Sequence, residues 1–177
     1  LADGKKECGI SYNVIACVMR HHSAEQNFQM MKDCREYLGH GLCALDLAGN
    51  EAAFPMENFR ELFAEAKKMG YPFTLHAGEC GRVETLIDSV KAGASRIGHG
   101  IALRGNAEAI AFCREQNITI EMCPISNMQT KAVSRKEEYP IREFLDAGLK
   151  VTLNTDNRTV SNSTIAKEME FVQKNYG

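Results

Sequence analysis

Residues 72–100 read PFTLHAGECGRVETLIDSVKAGASRIGHG. A short apolar run at 72–76 gives way to a glycine-containing turn, the pattern of a buried strand that ends abruptly. A helix is predicted from about Val83 to Ala92, closed by Gly93, because glycine takes the left-handed conformation that ends helices without strain. A second run at 95–99 follows. The unit is strand, helix, strand, and each of its strands ends on a histidine, His76 and His99.

The same unit repeats outward in both directions. Upstream, an apolar run at 10–19 precedes a helix that Ser23 caps, with Phe28, Met31, Cys34 and Leu38 spaced by three and four. A run at 41–47 comes next. Pro55 then opens a helix carrying Phe59, Leu62, Phe63, Ala66 and Met69 on one face, closed by Gly70. Downstream come a helix at 107–116, a strand at 118–123, a helix at 141–147 ending at Gly148, a strand at 150–155 and a last helix at 164–173. Strands that alternate with helices in this way pair in parallel through crossover connections. No Gly/Ser-rich linker divides the chain, so residues 1–177 are read as a single domain.

Two α/β architectures fit that order. A doubly wound sheet places a glycine-rich phosphate loop after its first strand, and the turn Val18-Met19-Arg20-His21-His22 has no glycine. A (β/α)8 TIM barrel instead gathers functional groups at the C-terminal ends of many strands. Asp46, His76, His99, Cys123 and Asp156 all fall at such ends. Six units are present where a barrel has eight. The chain is therefore expected to be an incomplete barrel lacking its first two βα units, with an N-terminal segment of the same protein as its partner.

The composition narrows the function. With 21 Lys+Arg against 23 Asp+Glu the formal charge is −2, which gives no attraction for nucleic acid or an anionic membrane. The longest apolar stretch, 14–19, is far short of the roughly 20 residues that span a bilayer, and no leader is recognised at Leu1. Seven cysteines, an odd number without a CxxC pair, point to a reducing cytoplasm and to buried, apolar thiols.

His76 and Glu79, separated by an Ala-Gly turn, pair a metal-suited imidazole with an acid–base carboxylate. His99 lies between Gly98 and Gly100, which leaves room for a ligand near the backbone. Asp156 follows the last strand and could ligate a metal or act as a base. Singly, each has an ordinary structural reading: a hydrogen-bonded strand-end histidine, or an Asp that forms a turn. Together, at one end of successive strands, they make the inventory of a metal-dependent hydrolase.

At this point the chain resembles the adenosine deaminase family of zinc-dependent amidohydrolase barrels. The resemblance rests on Leu45-Asp46-Leu47-Ala48-Gly49-Asn50-Glu51, the His76–Glu79 segment, Arg96-Ile97-Gly98-His99-Gly100, Cys123-Pro124-Ile125-Ser126-Asn127 and Leu153-Asn154-Thr155-Asp156. It implies hydrolysis of adenosine, and 2′-deoxyadenosine, to inosine and ammonia in purine salvage. It also implies zinc held by His76 and Asp156, and Glu79 as the proton donor to purine N1. His99 would hold and polarise the zinc-bound water, with Asp156 accepting its hydrogen bond. The Gly49 N–H would donate to purine N3.

Two positions depart from the family pattern. The H-x-H pair of the opening strand has no counterpart; His21 and His22 are adjacent and project to opposite faces. Where a second Asp often contacts purine N7, this chain has Asn157, whose amide can donate to the same acceptor. Asp46 is expected to brace the site, Ser126 and Asn127 to line its mouth, Cys80 to pack as a thiol, and His21, His22 and His40 to be polar loop residues. The competing functions are another amidohydrolase, such as an adenine or modified-aminopurine deaminase, and a truncated homologue without catalysis.

Overall fold

The computed structural model describes residues 1–177. A short exposed helix, α1 (Ala2–Cys8), precedes the first strand. The strands are β1 (Val14–Met19), β2 (Leu42–Ala48), β3 (Thr74–Ala77), β4 (Arg96–His99), β5 (Thr119–Met122) and β6 (Lys150–Leu153). The helices between and after them are α2 (Ala24–Asp33), α3 (Arg60–Lys68), α4 (Val83–Ala92), α5 (Ala107–Glu115), α6 (Pro124–Gln129), α7 (Ile141–Asp146), α8 (Arg158–Ser161) and α9 (Ile165–Tyr176).

Every strand pairing is parallel, β1 with β2 and β3 through β6 in chain order. The two sets join at a parallel bridge between Leu45 and Phe73, with the Leu45 N–H donating to the Pro72 carbonyl at 3.0 Å. Six strands thus run side by side in sequence order with helices packed on one side, an arc of six successive units of a (β/α)8 barrel. Val14 and Ile15 on β1 are 43% and 45% exposed, so the first strand carries apolar side chains on an unpartnered edge. No helix is long and apolar enough to cross a membrane.

Alternation along the strands divides the side chains. Leu45, Leu47, Leu75, Ile97, Ile120 and Met122 are fully buried and pack with Phe63, Leu86, Ile110 and Phe144 of the helices in one core. On the opposite face His76 pairs with Gly98, Gly98 with Glu121, and Glu121 with Thr152. Arg96 ties this face together, donating to Glu121 Oε1 at 2.5 Å and to Thr152 Oγ1 at 3.2 Å.

Local signals set the boundaries. Ser23 and Gln26 form a full capping box at α2, and α4 ends on Gly93 in the left-handed conformation. Three expectations change. The first strand starts at Val14, because 10–13 find no ladder partner. The region after β5 begins with α6, where Pro124 sits in the first turn and Glu168 of α9 accepts from the Ile125 N–H at 3.1 Å. Of the seven cysteines, all free thiols, only Cys113 and Cys123 are buried, while Cys8, Cys17 and Cys80 are exposed. Cys80 is therefore a surface thiol on the loop that follows Glu79, not a packing residue.

Candidate functional site

His76 is the penultimate residue of β3 and faces the inner side of the sheet. Its ring has space because its β4 partner is Gly98, where a Cβ would lie 3.4 Å from His76 Cγ. Gly100 likewise accommodates Ile120, whose Cγ2 would be 2.8 Å from a Cβ there. Gly100 is thus taken up by packing on Ile120, while Gly98 and His99 still border open space.

His99 ends β4 and is almost fully buried. It pairs with Ala77, so strict alternation would send it to the helix side with Ile97. A φ of 68° breaks the alternation, and the ring lies 5.0 Å from that of His76, centroid to centroid. Asp156, beyond β6, also has a left-handed backbone, φ 53°. Its Oδ2 accepts from Ser126 Oγ at 2.6 Å. One ligand atom each from His76, His99 and Asp156 lie within 4.8 Å of one another. The His76 imidazole and the Asp156 carboxylate are of the types zinc takes, with the His99 ring beside them. His76, His99, Cys123 and Asp156 help line a cavity of about 320 Å3 here.

Glu79 reaches the same place from the loop after β3. Its Oε2 is 3.7 Å from His99 Nε2. Its Oε1 accepts from Thr130 Oγ1 at 3.1 Å and from Asn127 Nδ2 at 3.3 Å. Asn127 Nδ2 also faces His99 Nδ1 at 3.0 Å, and Asn127 Oδ1 accepts from Tyr139 OH at 3.4 Å. Ser126 and Asn127 are 3% and 0% exposed: they form the floor beneath the site, not its mouth.

The electrostatics separate the two histidines. Burial works against a charged His76, but the hydrogen bond and charge of Asp46, helped by Asp156 and Glu79, outweigh it and hold its pKa above the ordinary imidazole value. His99 is pushed below that value, chiefly by its burial, which the charge of Glu79 offsets only in part. Burial, then Asp156 and Glu121, pushes the Cys123 thiol up, so it stays protonated.

Asp46 braces His76, with Oδ2 2.7 Å from its Nδ1. Gly49 follows β2 with φ 113°, in close approach to Arg20 Cβ. Asn157 caps α8, its Oδ1 accepting from the Thr159 and Val160 N–H groups, which leaves Nδ2 as its donor. His21 and His22 are exposed and stack edge to face on each other.

Besides Glu168 of α9, two buried charged residues escape a reading by strand ends. Glu51, 4% exposed, accepts from the backbone N–H groups of Gly78, Glu79 and Gly81 at 2.8–3.2 Å and so shapes the loop that carries Glu79. Gly81 is glycine for that reason: a Cβ there would lie 2.4 Å from Glu51 Cδ. Arg20, 1% exposed, donates to the carbonyls of Phe54 at 2.6 Å and His76 at 2.7 Å. Glu51 stands in the segment 45–51 that carries the resemblance; Arg20 carries no local signal beyond a charge next to an apolar run.

The adenosine deaminase family model matches residues 1–177. The chain is 43% identical over 168 residues to an adenosine deaminase of Enterococcus faecalis, covering 95% of this chain and 50% of that protein. It is 40% identical over 177 residues to one of Streptococcus agalactiae, covering 100% and 52%. The chain spans about half the length of the curated relatives it matches. Among solved structures, an adenine deaminase of Arthrobacter aurescens superposes with a TM-score of 0.90 at 24% identity, over 99% of this chain and 54% of that one. A Zn-bound amidohydrolase described from Burkhoderia ambifaria gives 0.90 at 20% identity, over 99% and 50%. These superpositions show that the six-unit arc has the fold of about half of those larger chains. By a match that runs from its first residue to its last, the chain belongs to the adenosine deaminase family.

Proposed function

We propose that the protein containing this chain is a cytoplasmic, zinc-dependent hydrolase that converts adenosine, and 2′-deoxyadenosine, to inosine and ammonia in purine salvage. The observation that carries the reading is the meeting of His76, His99 and Asp156, from the ends of β3, β4 and β6, around one cavity, with Glu79 reaching His99 from the loop after β3. His76 and Asp156 are the zinc ligands, completed by donors from an upstream segment of the same protein. Zinc supplies Lewis acidity that brings the pKa of a water to about 7.

The chain's own residues do the rest. Glu79 gives a proton to purine N1, which makes C6 electrophilic. His99 orients the attacking water against the purine face, and Asp156 takes up the proton it releases. The Gly49 N–H donates to purine N3 and Asn157 Nδ2 to N7, fixing which ring atom meets the water. Water adds at C6, Asp156 returns its proton to the amino group, the C–N bond breaks to release ammonia, and Glu79 regains a proton from the C6 hydroxyl as the carbonyl forms.

The test is turnover by the full-length protein. Adenosine should yield inosine and ammonia, and Glu79→Gln should abolish turnover while the zinc content stays unchanged. Ammonia from adenine and none from adenosine would favour the other amidohydrolase reading. A zinc-free, inactive full-length protein would favour the non-catalytic one.

A further inference from the structure

We infer that the side-chain amide of Asn127 fixes His99 as its Nε2–H tautomer, opposite to that of His76, and so gives the two histidines of the site different duties. The catalytic consequence rests on the deaminase reading above; the tautomer assignment does not.

The argument starts from an amide with no access to water. Asn127 is 0% exposed and touches three polar partners. Glu79 Oε1, 3.3 Å from Nδ2, already accepts from Thr130 Oγ1. Tyr139 OH lies 3.4 Å from Oδ1. Exchanging the amide's oxygen and nitrogen would set its oxygen against the Glu79 carboxylate oxygen, acceptor against acceptor, in a site where water cannot relieve the mismatch. The amide is therefore locked with Nδ2 towards Glu79 and His99. Facing His99 Nδ1 at 3.0 Å, Nδ2 is a donor, so Nδ1 supplies a lone pair and the neutral ring carries its proton on Nε2.

His76 is locked the other way. Its Nδ1 faces both oxygens of Asp46, at 2.9 and 2.7 Å, and a carboxylate only accepts. The proton is on Nδ1 and the lone pair on Nε2. A metal takes a lone pair. Of two imidazoles whose centroids are 5.0 Å apart, His76 is thus prepared as a ligand and His99 as a hydrogen-bond donor. His99 directs an N–H at an oxygen in the cavity, holding it and stabilising negative charge that develops there. Asn127 is a positioning residue that addresses both the donor His99 and the proton-carrying Glu79.

The experiment labels histidine with 15N in the zinc-free full-length protein and reads ring tautomers from long-range 1H–15N correlations. At alkaline pH, where both rings are neutral, His99 should give the Nε2–H pattern and His76 the Nδ1–H pattern. Asn127→Asp, which replaces the donor by an acceptor, should convert His99 to Nδ1–H. In the zinc-loaded enzyme it should lower kcat about 10- to 100-fold with KM little changed. A wild-type His99 with its proton on Nδ1 would overturn the inference, and this reading needs no variant that must fold. Retention of the Nε2–H pattern and of kcat in Asn127→Asp would overturn it equally. The expected tautomers in a protein that does not deaminate adenosine would leave the inference standing and remove the functional reading instead.

Discussion

Asp46 grips His76 at two points: Oδ1 accepts from the backbone N–H at 3.1 Å, and Oδ2 lies 2.7 Å from ring Nδ1. The contact spans β2 and β3, which lie side by side but share a single ladder bridge, Leu45–Phe73. One carboxylate therefore both joins two parts of the barrel wall and aims a ring. Asp46→Asn should weaken zinc binding by the full-length protein about 10- to 100-fold, as losses of such supporting partners do. Competition against a chelator measures it, and an unchanged affinity would show that the ring needs no brace.

The same contact has a pH signature. The folded-state pKa of His76 lies above the ordinary 6.5. The folded, zinc-free protein therefore binds more protons than the unfolded chain between 6.5 and that raised value. The stabilisation from the contact is complete below pH 6.5 and is lost as pH rises through the folded-state pKa. Urea unfolding of metal-free wild type and Asp46→Asn should show a larger stability difference at pH 5.5 than at pH 8.5. A difference that grows with pH would reverse the assignment.

Glu51 and Gly81 form a second matched pair. Glu51→Gln replaces one acceptor oxygen by a donor that opposes backbone N–H groups, leaving a buried amide unpaired at a cost of about 1–3 kcal/mol. Gly81→Ala forces a methyl into the Glu51 carboxylate and should shift the 78–81 loop. Both should lower kcat more than they raise KM, since the loop carries Glu79. Thermal unfolding with steady-state kinetics tests this, and wild-type kcat in Gly81→Ala would contradict it.

Arg20 is the largest buried cation; burial works against its charge, which Glu51 and Asp46 offset only in part. Arg20→Met strips the donors from two buried carbonyls and the compensating charge from two carboxylates. The expected loss is about 2–6 kcal/mol, from two buried carbonyls each left without a donor at about 1–3 kcal/mol. Chemical denaturation reads it directly. A loss below about 1 kcal/mol, the scale of an exposed pair, would mean the cluster is well hydrated.

Much of the architecture was legible because its signals are local. The cap at Ser23, the stops at Gly93 and Gly148, and the apolar runs each announce themselves within a few residues. The roles of Glu51, Arg20 and Asn127 were not, because each rests on partners far along the chain: 27 residues from Glu51 to Gly78, 56 from Arg20 to His76, and 28 from His99 to Asn127. Helix α6 was hidden for a related reason. Its Ser126 and Asn127 favour turns, and its first turn is completed by Glu168, 43 residues on from Ile125. The cysteines misled because a thiol looks the same in sequence whether it packs, as Cys113 does, or faces solvent, as Cys80 does.

Asp156 and His99 both sit at left-handed backbone angles, which residues with a Cβ adopt at a cost although Asp and His tolerate them better than most. Strain of this kind amounts to about 1–3 kcal/mol per residue. Asp156, exposed and held by one serine, offers little packing in return. A lineage that no longer needed the reaction would gain robustness by exchanging it for glycine, so decay of activity would leave a sturdier fold. Heat resistance in a homologue altered at this position would then mark a retired catalyst rather than an improved one.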